Sequence, residues 1–175
     1  MSVSQLSDGD RLILDTVEVP QANDIDKVFK VAGLVSRGAT TPRDVAKGLA
    51  VVEREGAYYL AAARAIRIVR LDHSTNPAGY VLGYVGEEYL AADRRRRPAI
   101  VIRRTLSAPH VLYVAERLGL ETPLSTPTPR VLHDAGLVQR ELATLGATLS
   151  GTTPARRAGT IVAWMKAVDK LARKP

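Results

Sequence analysis

Two adjacent arginines, Arg156 and Arg157, stand in the opening turn of GTTPARRAGTIVAWMKAV, whose apolar spacing predicts a helix beginning after Thr153. Thr153 supplies a capping oxygen, and Pro154 suits the first helical position. The helix macrodipole disfavours cations at that end, so a guanidinium pair there calls for an anion opposite. Guanidinium groups grip phosphate or the edge of guanine with two parallel hydrogen bonds. Ala158, Ile161, Val162, Met165 and Val168 form the predicted core stripe. Arg156, Arg157 and Thr160 then fall on the opposite face, at the end a recognition helix presents to bases. Arg156 or Arg157 is placed to pair with guanine, and Thr153 caps the helix where it approaches a phosphate. Replacing both arginines by alanine is expected to cost on the order of 1–3 kcal/mol of specific binding per bidentate pair.

Groupings for catalysis are sparse. His73, His110 and His133 lie far apart in the chain, without the spacing of a metal site. Restriction-type nucleases hold a divalent cation with an acidic pair followed by Glu-x-Lys. The acids here come as Glu53/Glu55, Glu87/Glu88 and an isolated Asp169 before Lys170, none of them in that setting. Gly79, Gly83 and Gly86 lack the Gly-Lys-Ser/Thr of a phosphate loop, and Ser107 and Ser150 lack a nucleophile elbow. There is no cysteine, which removes thiol catalysis, disulfides and thiolate metal sites and suits a reducing cytoplasm. The expectation is a binding protein rather than an enzyme, with no cofactor and no metal.

Charge points the same way. The net charge is +7, yet residues 1–26 hold six acids against one base, Arg11, so the remaining chain carries a surplus of twelve positive charges. Arginine far outnumbers lysine, as phosphate recognition favours. No apolar run is long enough to span a membrane, and the acidic N-terminus does not read as a secretory signal. A cytoplasmic, nucleoid-associated protein is expected.

These side chains need elements to carry them. Arg11–Val19 alternates as a strand. Ile25, Val28, Phe29, Ala32 and Val35 share one helix face, with Gly38 as its stop. A second helix starts at Thr41-Pro42, with Asp44 in its first turn. After a break at Ala50–Val52, EREGAYYLAAARAI repeats its apolar residues at Tyr59, Ala62, Ala63 and Ile66. RIVRLDH and YVLGYV then alternate about the turn STNPAG as a hairpin. Three helices and a hairpin are the layout of a winged helix-turn-helix.

Beyond it, EEYLAADRRRRP reads as a short helix and a junction. IVIRRTLSAPHVLYVAERLGL holds one or two helices, with Pro109 at a start and Gly119 at an end. ETPLSTPTP is a loop, a further helix begins near Ala135, and TLSGT is a turn before the last helix. The two long helices match at an offset of 99 residues: Tyr59 with Ala158, Ala62 with Ile161, Ala63 with Val162, Ile66 with Met165. Such a repeat suggests tandem units. The expected fold class is mainly α with small β-hairpin wings (α+β), a tandem winged helix-turn-helix. Its parts are an N-terminal strand or extension (1–22), a first winged-helix domain (23–92) and a second winged-helix-like domain (93–175).

EREGAYYLAAARAIRIV and GTTPARRAGTIVAWMKAV together resemble the two long helices of a tandem winged-helix module found in bacterial restriction-modification and defence proteins, sometimes fused to a nuclease. The resemblance covers roughly Asp24 to Lys174. Where that family has Leu-Gly at the end of its first long helix, this chain has Ile66-Arg67. The resemblance implies double-stranded DNA binding, plausibly sequence-specific, as the specificity module of a defence system or as a stand-alone regulator. A nuclease or other defence subunit is a candidate partner, and a homodimer a further option.

In that frame Arg54, Tyr58 and Arg64 face outward on the first long helix; Arg54 reaches bases or phosphates, and Tyr58 either does the same or packs beside Tyr59. Arg43 touches the DNA backbone from the preceding helix. Arg70, His73 and Asn76 lie in or beside the wing. Arg94, Arg95, Arg96 and Arg97 form a basic block that adds salt-sensitive affinity, extended by Arg103 and Arg104. Two rivals remain: a restriction-type nuclease with unrecognised catalytic residues, and a protein-interaction adaptor built on winged helices.

Overall fold

A computed structural model describes residues 21–74, 78–143 and 154–173. The expected strand Arg11–Val19, the turn TLSGT, Asn76 and Thr153 lie outside them. Among the described residues the chain is mainly helical with one small antiparallel sheet. It forms two compact units, Pro20–Val101 and Ile102–Pro175. No helix among the described residues is long and apolar enough to cross a membrane.

In the first unit, α1 (Ile25–Val35) starts where the Asp24 carboxylate accepts from the Lys27 amide. Its stripe Ile25, Val28, Phe29, Ala32 and Val35 is buried as expected, and Gly38, at φ +94°, takes the chain out of the helix. α2 (Pro42–Leu49) begins with a reciprocal cap: the Asp44 amide donates to Thr41 Oγ1, and the Thr41 amide donates to the Asp44 carboxylate. The Thr41 hydroxyl, donating to the Asp44 carboxylate at 2.7 Å, and then the Thr40 and Thr41 amides hold the Asp44 carboxyl below its ordinary pKa. Ala50, at φ +54°, ends α2, and α3 (Glu53–Ala65) follows almost at once.

α2 and α3 approach very closely at Gly56. A Cβ there would run into the Pro42 carbonyl and the Ala46 methyl. Tyr59, Leu60, Ala62 and Ala63 put the other face of α3 into the core. The helix closes with a Schellman motif: the Ile68 amide donates to Ala63 O (2.8 Å) and the Arg67 amide to Arg64 O (2.9 Å), with Arg67 left-handed at φ +63°.

β1 (Val69–Asp72) pairs with β2 (Gly79–Leu82), Val69 opposite Leu82 and Asp72 opposite Gly79. The second strand is shorter than the alternation of YVLGYV predicts. Gly83 turns the chain out of the sheet, and Tyr84 opens α4 (Tyr84–Ala91), whose Tyr89 ring packs on Phe29 at 5.0 Å between centroids. The alternation was carried past the strand because Tyr84 and Val85 suit a pleat as well as a helix.

α5 (Arg97–Leu106) carries the chain from the first unit into the second, the division falling between Val101 and Ile102; the expected boundary at 92/93 lies just ahead of this helix. In the second unit α6 (Pro109–Arg117) starts on Pro109, and Gly119 leaves it at φ +70°. A 3-10 turn (Arg130–His133) precedes α7 (Ala135–Ala143), and α8 (Pro154–Ala172) is the longest helix described. Leu132, Val138, Leu142, Ile161, Trp164, Met165 and Val168 are its fully enclosed centre. Among the described residues this unit holds no strand. All eight residues matched at the 99-residue offset are buried, with Ile66 just past the end of α3.

Candidate nucleic-acid interface

The expected second recognition face does not have the orientation that the apolar stripe suggests. On α8, Arg156 is exposed, but Arg157 is 2% exposed and Thr160 fully buried, its hydroxyl donating back to Arg156 O at 3.3 Å. Arg157, Thr160 and Trp164 lie at i, i+3 and i+7, on one ridge of the helix. Trp164 is completely buried, edge-on to the His110 ring of α6 at 5.1 Å, and the whole ridge goes inside with it. The buried surface of α8 is therefore wider than its aliphatic stripe. Arg157 and Thr160 are corrected from groove-facing to interior positions, and Arg156 alone of the three faces solvent.

The arginine block is divided by its surroundings. Arg94 and Arg95 are exposed. The Asp93 carboxylate accepts from the Arg95 and Arg96 amides at 2.8 and 2.9 Å, and the Arg96 guanidinium lies 3.8 Å from it. Arg97 is half-buried: its Nε donates to Ala92 O at 3.2 Å, and its guanidinium lies over the Tyr89 ring at 5.1 Å. Arg97 thus satisfies a carbonyl at the end of α4.

The first unit gathers its cations. Arg64 leaves the last turn of α3, Arg67 the left-handed residue after it, and Arg70 the outer face of β1. All three are exposed and line one cleft of about 380 Å³, with His73 from the hairpin and Tyr84 from the start of α4. The helix-to-strand reversal at Arg67 makes the convergence, since a continued helix would carry residue 70 onward along its axis. The Arg67 guanidinium sits 5.9 Å over the Tyr84 ring, which is 48% exposed although aromatic. Among the described residues no carboxylate lines the cleft. Asp72, close by, is committed to the Ser74 amide at 3.0 Å; hydrogen bonds from Ser74, and then Arg70 and His73, hold its carboxyl below the usual pKa.

Arg54 and Tyr58 sit at the opposite end of α3, the guanidinium 5.8 Å over the half-buried ring. At 1.5 Å per residue, Arg54 and Arg64 are roughly 15 Å apart along the axis. Arg43, exposed in the first turn of α2, belongs to the Arg54 end of the helix pair. Arg43, Arg54, Arg64, Arg70 and His73 are thus all solvent-facing as expected.

No family model, curated protein or solved structure matches this chain.

Two cleft residues were missed in the sequence: Arg67, noted only as standing where glycine is usual, and Tyr84, placed in a strand. The signal for Arg67 was that very substitution, because a bulky residue at a helix C′ position demands a reason. A third grouping was also missed. Thr128, His133 and Asp169 meet although Thr128 and Asp169 are 41 residues apart. Asp169 accepts from the Thr128 amide (2.8 Å) and hydroxyl (2.9 Å), and His133 Nε2 lies 2.7 Å from Thr128 Oγ1 and 3.3 Å from Asp169. Hydroxyl and carboxylate share one ring nitrogen, and the hydroxyl proton goes to the carboxylate. The cluster ties the loop to α8. Among the described residues no group of three histidine or acidic side chains is placed to hold a metal ion.

Proposed function

We propose that the protein binds double-stranded DNA, with residues 20–101 as the reading unit. Three helices followed by a hairpin have the layout of a winged helix-turn-helix, in which α2 and α3 form the turn motif, α3 enters the major groove and the hairpin is the wing. The observation that carries this proposal is the cleft where Arg64, Arg67 and Arg70 converge without a carboxylate beside Tyr84. Phosphate contacts from such a cluster position a duplex, while Arg54 and Tyr58 at the N-terminal end of α3 are placed for base edges. The second unit, in which no strand is found among the described residues, takes part through the exposed Arg156 rather than through an arginine pair. In keeping with the family resemblance, the role is that of a specificity module in a defence system or of a stand-alone regulator.

Titrating a labelled duplex with the wild type and with Arg64→Ala/Arg67→Ala/Arg70→Ala tests the proposal. The variant is expected to bind at least about tenfold more weakly and to lose up to about three units of salt slope. Equal affinities would remove the cleft from the interface, and absent binding by both proteins would favour a protein-interaction adaptor.

A further inference from the structure

A second basic concavity lies wholly within the second unit. Lys166 and Lys170 project from one face of α8 at i and i+4, and Arg173 is the residue next after its last turn. All three are exposed, and with His133 and Asp169 they line a groove of about 320 Å³. The acid on this face does not neutralise them, since Asp169 is 8% exposed and turned to the Thr128 amide and hydroxyl and to His133. Among the described residues no other carboxylate pairs with them.

Lining up like charges at this spacing costs a helix a few tenths of a kcal/mol per pair. Complementing the helix dipole accounts for Lys170 and Arg173 near the C-terminal end. It does not account for Lys166, more than a turn further in, nor for an imidazole set at the base of the groove by a loop 36 residues away in the chain. His133 is anchored through Nε2, and its side chain, 25% exposed, lines the same groove as the cations. Three flexible cations around a concave, hydrogen-bonded base make an anion receptor with several donors converging on one point.

The geometry points to a phosphate-binding site formed by Lys166, Lys170 and Arg173 above the Thr128–His133–Asp169 cluster. The phosphate comes either from a nucleic-acid backbone or from a free phosphorylated small molecule. The site stands independently of the cleft in the first unit.

Amide-shift mapping of the full chain with inorganic phosphate, a mononucleotide and a short duplex, added separately, tests it. Inorganic phosphate is expected to move the His133 and Asp169 signals of the wild type saturably. Lys166→Gln/Lys170→Gln/Arg173→Gln, all surface changes, should weaken that response at least about tenfold, the loss of one or two charge-assisted hydrogen bonds. Lys30→Gln/Lys47→Gln, two exposed lysines of the first unit, should leave it as in the wild type. Unmoved signals, or equal weakening by both variants, would overturn the site. A mononucleotide response without a duplex response assigns the phosphate to a small molecule, and the reverse assigns it to the backbone. Loss of duplex binding with the phosphate response retained would defeat the DNA proposal and leave this site standing.

Discussion

Arg67 holds a backbone conformation that glycine would adopt without strain. A left-handed non-glycine residue costs about 1 kcal/mol or more, and an exposed cation–π contact such as that with Tyr84 returns only part of it. Such strain persists where the side chain is useful, which for Arg67 is the lining of the cleft. Arg67→Gly is therefore expected to raise stability by about 0.5–1 kcal/mol in thermal or denaturant unfolding while weakening duplex binding. A variant that is less stable, or that binds as tightly, would show that the side chain serves the fold instead. At this scale the sequence was legible where a residue acts locally. Thr41, Pro42 and Asp44 cap as their types require, and Arg54, Arg64 and Arg70 are exposed on the expected faces. It was not legible where the outcome hangs on distant partners. Arg157 has the composition of a surface residue and becomes interior because Trp164, two turns on, must meet His110 on another helix.

Between elements, the order of helices and hairpin in the first unit follows from periodicity and punctuation that the chain displays openly. The distance between helices does not. EREGAYYL marks a helix start without announcing that Gly56 is its point of contact with α2. A Gly56→Ala change would improve helix propensity in an isolated peptide, yet here the added methyl meets backbone at Pro42 and must push α2 and α3 apart. A net loss of about 1–3 kcal/mol is expected on chemical denaturation, the usual cost of overpacking. A gain of the size seen for glycine-to-alanine changes in exposed helices would contradict the crossing described. The end of β2 was likewise hidden, since Tyr84 and Val85 suit strand and helix equally. Only the turn at Gly83 and the packing of Tyr89 on Phe29 decide for α4. In the second unit the helices were legible, but the Thr128–His133–Asp169 tie was not, because nothing in the spacing of loop and helix brings them together.

For the molecule as a whole, part of the basic surplus read from composition gathers in two concavities among the described residues, the Arg64–Arg67–Arg70 cleft and the Lys166–Lys170–Arg173 face. The molecule also has a built-in acid sensitivity. Burial beside Trp164 pushes the His110 pKa from 6.5 down to about 3. Between those values the unfolded chain takes up a proton that the folded state refuses. The stability tied to His110 is therefore complete above pH 6.5 and falls as pH drops through the window, by at most about 1.4 kcal/mol per pH unit. Asp44 and Asp72, with lowered pKa values, add a loss in the same direction at lower pH. Acid unfolding followed by the fluorescence of Trp164, the only tryptophan, should be shallower between pH 6 and 4 in His110→Phe than in the wild type. Superimposable curves would contradict this. The central claim concerns the cleft, and fluorescence anisotropy of a duplex at several salt concentrations, wild type beside Arg64→Ala/Arg67→Ala/Arg70→Ala, tests it most directly. The predicted result is a salt-dependent wild-type affinity that falls at least about tenfold in the variant, with a shallower salt slope; identical affinities and slopes would contradict it.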